Sequence, residues 1–268
     1  MALDTIQFGD SIVATRGPSP TVFANMDLER AVVSGQSGYG VFNDFMYSTA
    51  GTTTFLDTGV TARLLGSAGT GDGGVLRILH DTTANDEGHF GITDGYGGAF
   101  NFSSTTPLSL AFEARFRVSS VANTTLPFFV GLGAPGLVAT GQMDDTTGEL
   151  ADKDFIGFQT LCAAGATMLT SYKKNGQTKQ APTGNNTTIV ADTWYKVGFR
   201  FNPGATDDKR LIFYVNGVAL PTEVTATNFA AATFPDDVPL CPVVLTQNDG
   251  AAANHISVDW IAAFQDRA

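Results

Sequence analysis

The sequence predicts an all-β domain, a two-sheet antiparallel sandwich of jelly-roll type. Three observations predict it. A dozen or more short apolar runs follow one another at fairly even spacing, with no helical stretches of about ten to fifteen residues between them, which excludes a parallel α/β sheet. The chain of 268 residues carries 20 Phe and 30 Gly at 43% apolar content, a composition suited to bulky strands separated by turns. Two Asn-Gly pairs, Asn175-Gly176 and Asn216-Gly217, lie between alternating segments, where a two-residue I′ turn requires positive φ at both positions. No repeat of fixed period emerges, so a propeller or β-helix is not expected.

Residues 1–37 stand apart. Arg16-Gly17-Pro18-Ser19-Pro20 forbids regular pairing, and Met26–Val33 allows one or two helical turns opened by Asn25 as a cap. The segment is read as an extended arm or as an irregular lead-in packed on the domain, the arm being preferred because no long alternating apolar run is present. The β pattern begins in residues 38–268, with strands expected at Val41–Tyr47, Thr53–Leu56 and Arg63–Leu65. Gly66–Gly74 is glycine-rich, but it lacks the Gly-Lys-Ser/Thr ending of a phosphate-binding loop and no helix follows it.

Val75–His80 reads as a strand, Asp81–Glu87 as a polar turn, and His89–Ile92 as a return to strand. In Leu108–Val118 the residues Leu108, Leu110, Phe112, Ala114, Phe116 and Val118 share one face. Glu113, Arg115 and Arg117 share the other, expected as a solvated row of cross-strand ion pairs. Leu126–Leu132 is apolar throughout, as in a strand buried on both faces. Pro135–Lys153 is a long acidic loop. Phe155–Leu161 is a strand, and Met168–Lys173 with Thr178–Ala181 forms a hairpin through Asn175-Gly176. In Trp194–Phe201 the residues Tyr195, Val197, Phe199 and Phe201 alternate with Trp194, Lys196, Gly198 and Arg200. Leu211–Val215 follows, and Asn216-Gly217 should make Val215 and Val218 hairpin partners. Thr222–Pro239 is a long connection, and Leu240–Gln247 and Ile256–Phe264 close the domain.

A net charge of −11 repels phosphate, so no nucleic-acid partner is expected. Cys162 and Cys241 sit among apolar neighbours and are read as two buried free thiols. Met1–Asp10 shows neither a basic nor an apolar leader region, and no run approaches the ~18 apolar residues of a membrane helix. The expected product is soluble, made in the cytoplasm, with no membrane partner. His80, His89 and His255 show no metal-ligand spacing, and no Gly-x-Ser-x-Gly elbow supports a nucleophilic serine.

Three blocks carry a family resemblance: GGVLRILHDTTANDEGHF at 73–90 with LSLAFEARFRV at 108–118, DTWYKVGFRFN with LIFYVNGVAL within 192–220, and HISVDWIAAFQDR at 255–267. Their order resembles the concanavalin A-like lectin/glucanase sandwiches, with a laminin-G-like Tyr-Val-Asn-Gly core, and more narrowly the versions carried on virions of tailed bacteriophages. The resemblance covers about residues 39–268 and implies fold more than activity.

Hydrolases of that fold carry Glu-x-Asp-x-(x)-Glu on one strand face. The five glutamates here, Glu29, Glu87, Glu113, Glu149 and Glu223, do not form it, so no enzyme, no catalytic residue and no cofactor is expected. A lectin-type calcium site would need oxygen ligands, for which Asp144, Asp145, Glu149 and Asp152 or Asn248-Asp249 are the candidates; acidic loops are equally common without metal, and no metal residue is assigned. Tyr39, Tyr96 and Tyr172 lie near loops as sugar platforms or as packing residues. The resemblance implies a capsid decoration (cement) protein on the virion surface. Its partner is then the major capsid protein, and self-association is expected as a homotrimer at local three-fold positions, with residues 1–37 available to reach neighbours. The alternative is a carbohydrate-binding module on a phage fibre or surface appendage.

Overall fold

The computed structural model describes residues 17–24, 26, 38–45, 53–65, 74–92, 99–106, 108–204 and 210–267. The expected helical turns at 26–33, the strand end at 46–47, Gly66–Gly73 and Tyr96 fall outside these residues, apart from Met26.

Two antiparallel sheets face each other, as the alternation predicts. The strands are β1 (Gly38–Asn43), β2 (Thr53–Leu56), β3 (Thr61–Leu65), β4 (Val75–Leu79), β5 (Asp86–Gly91), β6 (Leu110–Val118), β7 (Phe128–Gly133), β8 (Phe155–Gln159), β9 (Thr167–Lys173) and β10 (Asn186–Thr188). They continue with β11 (Tyr195–Phe201), β12 (Leu211–Val215), β13 (Val218–Ala219), β14 (Cys241–Asn248) and β15 (His255–Asp266). Among the described residues one sheet has eight strands in the order β13-β12-β11-β6-β15-β4-β3, with β1 also paired to β15; the other has seven, in the order β10-β9-β8-β7-β14-β5-β2.

Phenylalanines join the sheets. Phe112 stacks on Phe199 at 5.3 Å within the eight-stranded sheet. Phe116 meets Phe128 at 5.0 Å and Phe213 meets Phe158 at 5.6 Å, both edge-on and both across the sandwich. These rings are fully buried, each removing an area worth roughly 1.5–3 kcal/mol from water.

The Asn216-Gly217 turn forms as expected, with φ of 51° and 76° and Val215 opposite Val218. The second hairpin forms only in part. Only the bridge Tyr172↔Gln180 forms beyond Asn175-Gly176, and the edge partner of β9 is β10. Gly176 takes a positive φ of 76° but Asn175 does not take one, so the two-residue I′ turn is not made, and Pro182, which lacks a donor, ends the pairing beyond Gln180. The polar stretch 81–87 also differs at its end, because Asp86 and Glu87 already pair with Asn248 and Gln247 in β5. Within the 222–239 connection, α1 (Ala226–Phe229) is one turn closed by a capping box between Thr225 and Asn228.

The row Glu113, Arg115, Arg117 is not the solvated ion-pair face expected from alternation. Residues 17–24 lie across the outer face of the eight-stranded sheet, and Glu113 beneath them is fully buried. Val22 and Phe23 pack there with Ala111, Tyr214, Trp260 and Phe264. A register shift in β15 between Val258 and Trp260 turns Trp260 outward to meet them while Ile261 returns to the main core. Arg115 pairs with Asp259 at 2.5 Å, and Arg115 and Arg117 lie over the Trp194 ring at 4.3 and 4.7 Å.

Candidate functional site

The outer face of the seven-stranded sheet carries the loop that spans residues 134–154. Its seat is built from glycine and phenylalanine. Gly131 and Gly157 face each other on β7 and β8, and a Cβ on either would come 2.8 Å from the Phe129 ring tip. The ring therefore lies over this bare backbone, with Phe155 edge-on at 5.4 Å. Leu137, Met143 and Leu150 of the loop bury themselves on Phe129, Phe155, Val243 and Leu245.

Glu87 fixes the loop. It is buried and accepts the backbone N–H groups of Gly141 at 2.6 Å, Gln142 at 3.3 Å and Met143 at 2.6 Å. Burial raises its carboxyl above the ordinary value, the three donors draw it back, and Asp57 adds to the rise. His89, two residues along the same strand, has no exposed surface, and burial lowers its imidazole to about 4, so it is neutral at neutral pH.

Above this seat the loop encloses an open cleft of about 540 Å³ lined by Gly141, Met143, Asp144, Asp145, Thr147, Glu149, Leu150 and Ala151. Three of the four acidic residues singled out in this loop, Asp144, Asp145 and Glu149, thus meet at one cleft. Each already holds a partner. Asp144 accepts from the Thr147 hydroxyl and from the N–H groups of Thr146 and Thr147, which hold its carboxyl below the usual range. Asp145 accepts from the Gln247 amide at 2.9 Å, and Glu149 pairs with Lys179. Asp152 instead caps Gly176 at 2.8 Å and pairs with Lys173 at 3.2 Å. Among the described residues no three His, Cys, Asp or Glu side chains are grouped to hold a metal ion.

Asn248 serves as a loop clamp, its amide donating to the carbonyls of Asp81, Thr83 and Gly250. Tyr39 donates to Gln265 at 2.7 Å, and Tyr172 is buried against Phe234; neither is an exposed platform. Cys162 and Cys241 are buried and free, with both thiols pushed up to about 12 by burial. Glu87 and Gln247 went unrecognised as site residues in the sequence. The available signal was a carboxylate inside a strand opposite a glutamine, facing a long loop.

Residues 71–259 match the family described as SO2946-like, C-terminal domain. The chain belongs to this family. No curated protein matches it. Among solved structures, this SO2946-like domain is similar to the protein of unknown function SO2946 from Shewanella oneidensis MR-1, at 20% identity over 87% of this chain and 90% of that one, TM-score 0.54. It is also similar to the basic winged bean lectin with Tn-antigen, at 12% identity over 86% and 100% of the two chains, TM-score 0.53. The carbohydrate recognition domain of Emp47p gives 12% identity over 84% and 94%, TM-score 0.50. At these identities the likeness establishes the concanavalin A-like sandwich of the SO2946-like domain, and function rests on its own residues.

Proposed function

We propose that this SO2946-like domain is a non-catalytic recognition domain that binds carbohydrate in the cleft formed by residues 141–151. The observation that carries the reading is the cleft itself, a concave space lined by Asp144, Asp145, Thr147 and Glu149 and held in shape by Glu87. Carboxylates and a hydroxyl converging on one concavity accept the hydrogen bonds that sugar hydroxyls donate. Two of the similar structures, the winged bean lectin with Tn-antigen and the Emp47p carbohydrate recognition domain, support the ligand class.

Hydrolysis is not the reading because the three carboxylates at the cleft are each engaged, Asp144 by Thr146 and Thr147, Asp145 by Gln247 and Glu149 by Lys179, and Glu87 and Glu113 lie on opposite outer faces of the sandwich, whereas a retaining pair stands about 5 Å apart. Titration of saccharides by calorimetry after a glycan array tests the proposal. Saturable binding that Asp145→Ala weakens at least tenfold is expected. Absence of binding to every saccharide sinks it, and release of reducing ends overturns its non-catalytic part.

A second reading is a bacteriophage capsid decoration protein that cements the outer shell by binding the major capsid protein, as a homotrimer. It is favoured by the anchored segment 17–24, which places the start of the described chain on a broad sheet face where Phe42 is exposed beside Trp260. Copurification with intact heads at a ratio near one to the major capsid protein is expected on this reading. Unchanged heat resistance of particles stripped of the protein would remove the cementing role.

A further inference from the structure

The eight-stranded sheet carries a row of cations on its outer face. Arg77 of β4 and Arg117 of β6 stand on either side of Ser257 of β15 in the register, about 10 Å apart at two strand spacings. Their neighbours Ile78, Phe116, Val118 and Ile256 fill the main core, so alternation turns the row outward. Arg63 of β3 holds the register position opposite Arg77. Trp194 extends the row beyond Arg117, whose guanidinium lies 4.7 Å from its ring. Among the described residues the row itself holds no carboxylate. Asp259, two residues along β15 from Ser257, is buried and already holds Arg115 at 2.5 Å.

Like charges placed opposite one another on a sheet face are destabilising. The chain has 15 Lys and Arg against 26 Asp and Glu, for a net charge of −11, so the row is a local reversal of the chain's sign and not a by-product of its composition. His255, at the end of β15, registers the same field. Burial lowers its imidazole to about 4, Arg77 and Arg117 push it the same way, and Asp192 opposes them.

The row also offers donors. Arg77, Arg117 and His255 are each partly exposed, while Ser257 has no exposed surface. Arg77 commits its Nε to the Ser257 hydroxyl oxygen at 3.3 Å, and its two terminal nitrogens meet no acceptor among the described residues. Ser257, having accepted that bond, keeps its own hydroxyl hydrogen to donate. Arg117 is held flat against Trp194, which fixes the direction of its fork.

We propose that Arg77, Ser257 and Arg117 form a site for one tetrahedral oxyanion, the sulfate or phosphate group of a small molecule, on the sheet face opposite the saccharide cleft. A guanidinium fork matches the spacing of oxyanion oxygens, and two forks flanking a hydroxyl suit a doubly charged group better than a single carboxylate. The chain's overall charge selects a single group over a polyanion. Within a Debye length of about 8 Å the arginines dominate, whereas a ligand with many charges also meets the repulsion of the acidic remainder. The inference does not rest on the carbohydrate reading of the cleft.

The test is an NMR titration of the full chain at pH 7 and constant ionic strength, replacing chloride by inorganic sulfate and, separately, by inorganic phosphate. Saturable movement of the Arg77 Nε–H signal and of the amides of residues 77, 117 and 257 is expected with both anions. In sulfate the His255 imidazole should titrate about one pH unit or more higher than in chloride, because a nearby anion favours its charged form, while His80 and His89 do not move. Arg77→Gln should weaken the response at least fivefold. Arg200→Gln, at a cation of the same face that holds the Thr21 carbonyl at 3.3 Å, should leave it unchanged. Shifts that grow linearly without saturating, or an unmoved His255, overturn the proposal, and both are read on the unsubstituted chain even where Arg77→Gln disturbs folding. Binding of a sulfated polysaccharide that inorganic sulfate fails to displace overturns the assignment to a single group.

Discussion

The carboxylate of Glu87 accepts the backbone N–H of Met143 at 2.6 Å across 56 residues of chain. With Gly141 and Gln142 donating to the same group, one side chain in β5 organises the wall of the cleft. Glu87→Gln keeps the shape but removes the charge and one acceptor, leaving at least one buried N–H unsatisfied. A loss of about 1–3 kcal/mol in urea unfolding is expected, with faster hydrogen exchange confined to the amides of residues 141–143. Unchanged exchange there would show that the apolar contacts of Met143 and Leu150 hold the loop alone.

Histidine sets the acid limit. His80 and His89 are buried, and burial lowers both imidazoles from 6.5 to about 4. The unfolded chain binds protons at these two sites first as pH falls, so the stability they confer is complete above about 6.5 and is lost progressively down to about 4. Each contributes on the order of 2–3 kcal/mol. Urea midpoints at pH 7 and pH 4.5 measure the loss. His89→Gln should flatten part of it, and an identical slope in the variant would refute the assignment.

The glycine floor beneath Phe129 leaves no room for a methyl group. A Cβ at Gly157 would lie 2.5 Å from the Val130 carbonyl oxygen and 2.8 Å from the Phe129 ring. Gly157→Ala is expected to cost about 3 kcal/mol or more. The companion Phe129→Leu with Gly157→Ala should recover part of that loss, because the ring contact is relieved while the carbonyl contact remains. Thermal unfolding of the single and double variants reads the difference.

The sequence made the sandwich legible because its evidence is local. Alternation in Tyr195–Phe201 and the Asn216-Gly217 turn specify strands and register from neighbouring residues alone, and the register Val215↔Val218 followed. The buried state of Glu113 was not legible, since it depends on Ser19, 94 residues away, and a charged residue on an outward strand face ordinarily meets water. Asp144, Asp145 and Glu149 were visible as an acidic loop. That Glu87 holds the loop was hidden twice over: the polar stretch reads as a turn although Glu87 already pairs with Gln247 in β5, and nothing local shows what covers a strand residue.

Gly198 decides whether segment 17–24 can close. Its missing side chain leaves space for Glu113, which a methyl would meet at 3.0 Å, and the same methyl would lie 2.5 Å from the Phe112 carbonyl oxygen. Gly198→Ala should therefore displace the carboxylate and release the Ser19 N–H, seen as faster hydrogen exchange and earlier proteolysis within residues 17–24. Glu113→Gln separates charge from shape. Burial raises the Glu113 carboxyl, the Ser19 hydrogen bonds and Lys196 lower it in part, and burial lowers the neighbouring Lys196. The closed state thus holds a proton on Glu113 more readily than the unfolded chain does. Its contribution is full below the ordinary carboxylate value of 4.5 and is lost as pH rises through the folded value. Glutamine, always neutral, escapes that loss, so Glu113→Gln should gain on the parent in urea unfolding as pH is raised from 4 to 7. A gain in the opposite direction would mean that Lys196 and Arg115 stabilise the ionised carboxylate more than burial opposes it.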